Sequence, residues 1–320
     1  MKVTRRTCLT GLGGIAAAGL VSSPGIVRSH ETSTEKKIRY CLNTSTIRGQ
    51  NLSLEEEIDL VSEVGYDGIE PWIREIESYQ QSGKSLSDLK KKIADKGLQV
   101  ESAIGFARWI VDDAGEREQG LEQMKRDMEL VSAIGGTRIA APPVGMHGQD
   151  SAALDLFAAA ERYAVLLELG REMGVTPQVE IWGPSRNLSR LGEAVFVAVE
   201  SGDQDACVLP DVYHIYRGGS DFEGLSLLNG SAIHCFHFND YPAASDREKL
   251  GDGDRVYPGD GVAPWQLLVD ILDQIGFSGA VSLELFNKSY WAEDPRQVLQ
   301  TGLSKMKQVF ETHSHSESAS

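Results

Sequence analysis

The sequence predicts an α/β protein folded as a single-domain (β/α)8 barrel, and three observations carry that prediction. From residue 36 onward, short apolar runs alternate with amphipathic stretches, and eight such pairs fill the chain to residue 312. Strands that alternate with helices run parallel in one sheet, and barrels with eight units are commonly this long. No G-x-G-x-x-G or G-x-x-x-x-G-K-[ST] loop follows an early strand, so an open nucleotide-binding sheet lacks its main support.

The elements follow in order. "IRYCLN" (38–43) is a strand, and "SLEEEIDLVSEVG" is its helix, with Ser53 placed to cap the start and Gly65 to end it. "DGIEPW" (67–72) precedes the helical "SLSDLKKKIADKG". "LQVESAIG" (98–105) precedes "GEREQGLEQMKRDMELVSAIGG", whose apolar residues fall at helical spacing. "TRIAAPP" (137–143) leads into a helix over 151–174. "TPQVEIWG" (176–183) leads into "LSRLGEAVFVAVESG". "ACVLPDVYH" (206–214) reads as a sixth strand before a short helical piece at 221–229. "SAIHCFHFND" is the seventh strand, followed after a long loop by "PWQLLVDILDQIG". "GAVSLELFN" (279–287) closes the set ahead of "DPRQVLQTGLSKMKQVFETH".

The ends read differently. Arg5 and Arg6 precede the apolar, Gly/Ala-rich "GLGGIAAAGLV", the order of a signal peptide. The pair resembles a twin-arginine export signal, so residues 1–30 are expected to be a targeting segment, 31–312 the barrel, and 313–320 a polar disordered tail. This implies an exported, periplasmic protein with no stable membrane insertion after the signal is removed. The formal charge is −16, and removing the four basic residues of the first thirty leaves −20. Such a surface repels phosphate backbones, which argues against nucleic acid as a partner. Cys41, Cys207 and Cys235 lie in apolar runs without a C-x-x-C and read as small buried residues. The sequence leaves a homo-oligomer open.

In a barrel of this kind, the side chains at the C-terminal ends of the strands face one rim. Strand five ends with Glu180, strand six with Asp211 (His214 three residues on), strand seven with His237 and strand eight with Glu284. Four such groups converging in an apolar mouth are costly unless something neutralises them. A divalent cation does so. Three carboxylates and one imidazole suit Mn²⁺, Mg²⁺ or Co²⁺ and tolerate Zn²⁺. His234, on the same strand as His237, reads as a core histidine.

"VEIWG", "LPDVYH", "HFND" with "VYPGDG", and "SLELFN" resemble the motifs of the xylose isomerase-like TIM barrels, over roughly residues 38–310. The resemblance implies one divalent metal held by Glu180, Asp211, His237 and Glu284, with His214 and Arg255 binding substrate oxygens and Asp240 a supporting or loop residue. It also covers endonuclease IV. That branch needs three zinc ions and further histidines, whereas "GIEPWI" and "ESAIGFARW" contain none and Val256 follows Asp254-Arg255.

A one-metal site implies proton transfer at the carbon next to a carbonyl, through an enediolate, with Glu180 and Glu284 as the acid–base pair. The expected substrate is a small, non-phosphorylated keto-sugar or related polyol, and the expected reaction isomerisation or epimerisation. A leaving group β to the carbanion would instead make the protein a dehydratase or lyase acting on an inosose or 3-keto-glycoside. A sugar-binding barrel without turnover is the remaining reading. Glu70 and Trp182 are expected against the substrate, and Trp72, Trp109 and His147 are further candidates for the pocket wall. Asn43, Thr44 and Ser45 offer hydrogen bonds after the first strand.

Overall fold

The computed structural model describes residues 38–244 and 246–313. The signal expected at 1–30 and the chain after His313 lie outside them. In order, the regular elements are β1 (Arg39–Asn43), α1 (Leu54–Val64), β2 (Gly68–Glu70), α2 (Ile73–Gln81), α3 (Leu86–Asp95), β3 (Gln99–Val100), α4 (Ala114–Ala133), β4 (Arg138–Ala141), α5 (Leu156–Met173), β5 (Thr176–Glu180), α6 (Leu191–Glu200), β6 (Val208–Leu209), α7 (Val212–Gly218), β7 (Cys235–Phe238), α8 (Trp265–Gln274), β8 (Ala280–Leu283) and α9 (Pro295–His313). Among the described residues, no helix is long and apolar enough to cross a membrane.

All strand pairs are parallel and form two hydrogen-bonded arcs, β3-β2-β1-β8-β7 and β4-β5-β6. Single contacts close the ring. Val208 bridges Ile233 and Asp211 bridges His237 between β6 and β7, and Ala140 N donates to Ala103 O at 2.9 Å across the other gap. The barrel interior is filled by small side chains, among them Cys41, Ala140, Leu209, Cys235 and Ala280. The larger apolar core lies between barrel and helices. The three cysteines are buried and free, as expected.

Helix starts and stops follow local chemistry. Ser53 and Glu56 form a reciprocal capping box, and Gly65 ends α1 at φ 97°, a left-handed conformation that costs glycine little. Four readings need correction. Helix α2 was not foreseen; its apolar residues Ile73, Ile76 and Tyr79 recur every three residues and are buried. β3 is two residues long, and the chain after it is irregular, pinned where Ile104 bridges Trp72. α5 begins at 156 rather than 151, because Asp155 accepts from the amides of Phe157 and Ala158. The sixth strand stops at Leu209 instead of reaching 214. Asp211 there turns its carboxylate onto the His214 amide and caps α7.

Candidate active site

The strand ends bring the expected residues to one rim. Glu180 is the last residue of β5, His237 lies within β7, Glu284 follows β8, and Asp211 caps α7 two residues past β6. All four are at most 4 % exposed. Donor atoms of Asp211, His237 and Glu284 lie within 4.8 Å of one another.

His237 is held between acids. Its Nε2 sits 3.1 and 3.3 Å from the two Glu70 carboxylate oxygens. Its Nδ1 sits 3.2 Å from Glu284 Oε2 and 3.7 Å from Asp211 Oδ2, without hydrogen-bond geometry to either. Burial pulls the imidazole pKa down, but Glu284 and Glu70 outweigh burial and hold it well above the ordinary histidine value. Asp211 is shared out. Oδ1 accepts from the His214 amide at 2.7 Å, and Oδ2 accepts from Asn239 Nδ2 at 2.9 Å and Arg255 Nη1 at 3.1 Å. Glu284 accepts from Asn43 Nδ2 at 3.2 Å and Arg255 Nη1 at 2.7 Å. Burial raises the Glu284 pKa, yet His237 and Arg255 together hold it below the carboxylate range. Glu180 is not among the partners of Arg255. Burial pushes it up to about 8 against the opposing pull of His237, and its Oε2 has no hydrogen-bond partner.

These residues fit a divalent cation. The donors are hard oxygens with one imidazole, and two of them, Glu180 Oε2 and His237 Nδ1, are buried without a bond. Glu70 on the far nitrogen leaves Nδ1 as the ligating atom, the carboxylate–histidine arrangement common behind metal sites. Glu70 and Cys235 also lie near one another and His237. Glu70 Oε2, however, already accepts from Asn43 at 3.0 Å and Ser282 at 2.7 Å, and burial holds the Cys235 thiol well above its ordinary range.

The cavity above the site measures about 480 Å³. Glu180, Glu284, His214 and Arg255 reach it from the barrel, with Trp72, Trp182 and His147 at the sides. Two expectations for pocket residues are corrected. Glu70 does not line the cavity; it is fully buried behind His237. Trp109 is core: its ring centroid lies 5.9 Å from that of Tyr163, and its indole N–H donates to Pro142 O. Arg255 lines the cavity but spends its guanidinium on Asp211, Glu284 and, at 2.8 Å, Asp252. His214 Nε2 faces Arg255 Nη2 at 3.0 Å, and burial lowers its pKa to about 3, so the ring is neutral. Asp240 organises the loop after β7, accepting from the amides of Tyr241, Gly259, Gly261 and Ala263 and from Trp265 Nε1. His234 lines a separate cavity with Arg138 and Thr176.

Phe286, Phe106, Ile104 and Arg48 also line the main cavity and were missed. The first was legible: it lies two residues past Glu284, so strand alternation puts both on one face. The same rule pairs Asn239 with His237. Phe106 and Ile104 follow β3 in irregular chain, and Arg48 sits in a short 3-10 turn after β1, stretches that carry no periodic signal.

Residues 58–309 match the xylose isomerase-like TIM barrel family. The chain belongs to that family. Its relatives are isomerases, epimerases and dehydratases acting on sugar-like substrates. An inosose isomerase of Bacillus velezensis is 26 % identical over 82 % of this chain and 94 % of its own length. A D-psicose 3-epimerase of Agrobacterium fabrum is 24 % identical over 72 % and 79 %. In fold, a solved structure described as IolI protein with a binding zinc atom superposes with a TM-score of 0.80 at 22 % identity, covering 86 % of this chain and 99 % of that one.

Proposed function

We propose that the protein is a divalent-metal-dependent isomerase or epimerase of a non-phosphorylated keto-sugar or related polyol, acting through an enediolate. The observation that carries this is the grouping of Asp211, His237 and Glu284 donor atoms within 4.8 Å of one another beside a cavity that Glu284 and Glu180 line, with a Glu180 oxygen unpartnered. Those four residues would hold the ion. Bound there, it would supply Lewis acidity toward a carbonyl oxygen. The chain's own groups do the rest. Glu180 and Glu284 share the proton work: one removes the hydrogen next to the carbonyl, and a carboxyl returns it. Neutral His214 hydrogen-bonds a substrate oxygen, and Arg255 steadies negative charge as it develops. Glu70 keeps the His237 ring from turning.

The test is solvent exchange. In D₂O, turnover of a keto-sugar substrate places deuterium on the carbon α to the carbonyl, and Glu284→Gln, still folded, loses at least about a hundredfold in rate. Consumption of substrate with neither exchange nor elimination would sink the enediolate reading. A dehydratase or lyase reading gains support from 3-dehydroshikimate dehydratase of Pseudomonas aeruginosa, 25 % identical over 79 % of this chain. The released leaving group identifies it. A binder without turnover would show affinity and no exchange. We also propose export through the twin-arginine pathway, from Arg5 and Arg6; fractionation of native and Arg5→Lys/Arg6→Lys cells, with the variant retained inside, is the check.

A further inference from the structure

The cavity has two unlike walls. Glu180, Glu284, His214 and Arg255 form the polar one. The other is carbon: Phe106, Trp182 and Phe286 stay partly exposed there. Trp72 is the keystone, its ring centroid 5.0 Å from Phe106 and 6.1 Å from Phe286, while Phe106 lies 6.2 Å from Trp182. The Trp72 indole N–H is taken by Asn43 Oδ1 at 2.9 Å, and that of Trp182 turns to Glu180 on the polar wall. Apart from Arg48 and His147, this wall therefore offers a ligand no hydrogen bond. A free pyranose offers carbon only on its C–H faces, and its hydroxyl edge, pressed against carbon, is left unpaired. Part-exposed aromatic rings gathered at one place mark a surface built to be covered. The cavity also falls in the range that takes a drug-sized ligand, more than one sugar ring fills. Arg48 lies 3.9 Å over Trp72 and makes no ion pair among the described residues. A nearby cation favours an electron-rich ring over an alkyl chain.

We infer that the substrate is a keto-glycoside with an aromatic aglycone, the sugar ring on the polar wall and the aglycone against Phe106, Trp182 and Phe286. This rests on the polar wall being the sugar site. It adds that specificity is set on the opposite side.

Unreactive glycosides separate the two ideas. Titrating the purified full chain with phenyl β-D-glucopyranoside and methyl β-D-glucopyranoside, by tryptophan fluorescence and calorimetry, is expected to show the phenyl compound binding at least tenfold tighter, about 1.4 kcal/mol. Phe286→Ala and Phe106→Ala, each checked for folding by circular dichroism, are each expected to cut that preference at least threefold. Equal binding of the two glycosides by the native protein overturns the inference, as does a preference that survives in both variants. The preference is also expected in Glu284→Gln. If it is present while deuterium exchange is absent from the native enzyme, the aglycone site stands and the enediolate chemistry falls. Exchange on free keto-sugars without the preference gives the converse.

Discussion

Two carboxylates illustrate how burial alone assigns different roles. Glu70 is fully buried yet satisfied, by Asn43, Ser282 and His237. Substituting Glu70→Gln leaves its size but weakens the hold on His237 Nε2. Losing such a support typically costs 10–100-fold in metal affinity, and that is the expected loss when cation binding is titrated by calorimetry; unchanged affinity would remove Glu70 from the site's support. Asp127 is the contrasting case, buried in α4 with Oδ2 unpartnered, its pKa pushed up to about 6 by burial and then by Glu77. The fold favours its neutral form. That contribution is complete below the ordinary value of 3.8 and is lost as pH rises through 6. Asp127→Asn is therefore expected to melt with the native protein at pH 4 and above it at pH 8. Neither role was legible in the sequence. Glu70 reads there as one more acid at a strand exit, and its direction is fixed only by Ser282 and Asn43, far away in the chain. The four rim residues were legible, because each closes an apolar run whose place in the order fixes its azimuth on the barrel.

At the scale of elements, the loop from β7 to α8 depends on Asp240. Five donors converge on its carboxylate, and its backbone pairs in both directions with Val256, next to Arg255. Asp240→Ala strands most of those donors, each worth about 1–3 kcal/mol when left unsatisfied. Urea unfolding is expected to show a loss of at least about 2 kcal/mol, with reduced turnover because Arg255 is carried on the same loop. A loss below about 0.5 kcal/mol, the range of an ordinary surface substitution, would mean other contacts hold the loop. Helix periodicity and Ser53 and Gly65 made α1 readable in advance, whereas β3 and β6, two residues each, carry too little alternation to bound. The end of β6 was misread because "DVYH" continues an apolar run; the helix begins there because the Asp211 side chain competes successfully for the His214 amide.

For the whole molecule, the barrel gathers carboxylates at one end, where Arg255 pairs with Asp211 and Glu284 and His237 lies between Glu70 and Glu284. A bound divalent ion would add stability by mass action, about 2.7 kcal/mol at a hundred times its dissociation constant. Melting with Mn²⁺ or Co²⁺ is expected to rise by roughly 5 °C over an EDTA-treated sample, with no rise in a Glu180→Gln/Asp211→Asn double variant. The parallel eight-unit order was legible from strand–helix alternation alone. The long-range closure through Val208–Ile233 and Asp211–His237 was not, since nothing local in either segment names its partner.

Because Asp240 and Val256 clasp each other in both directions, the loop meets the barrel at one fixed point, a single residue from Arg255. Its outer side is moored separately, the carbonyls of Glu248 and Leu250 accepting from Arg217 and that of Leu250 also from the Tyr213 hydroxyl, so the guanidinium is braced by the strand end beneath it and by α7 beside it.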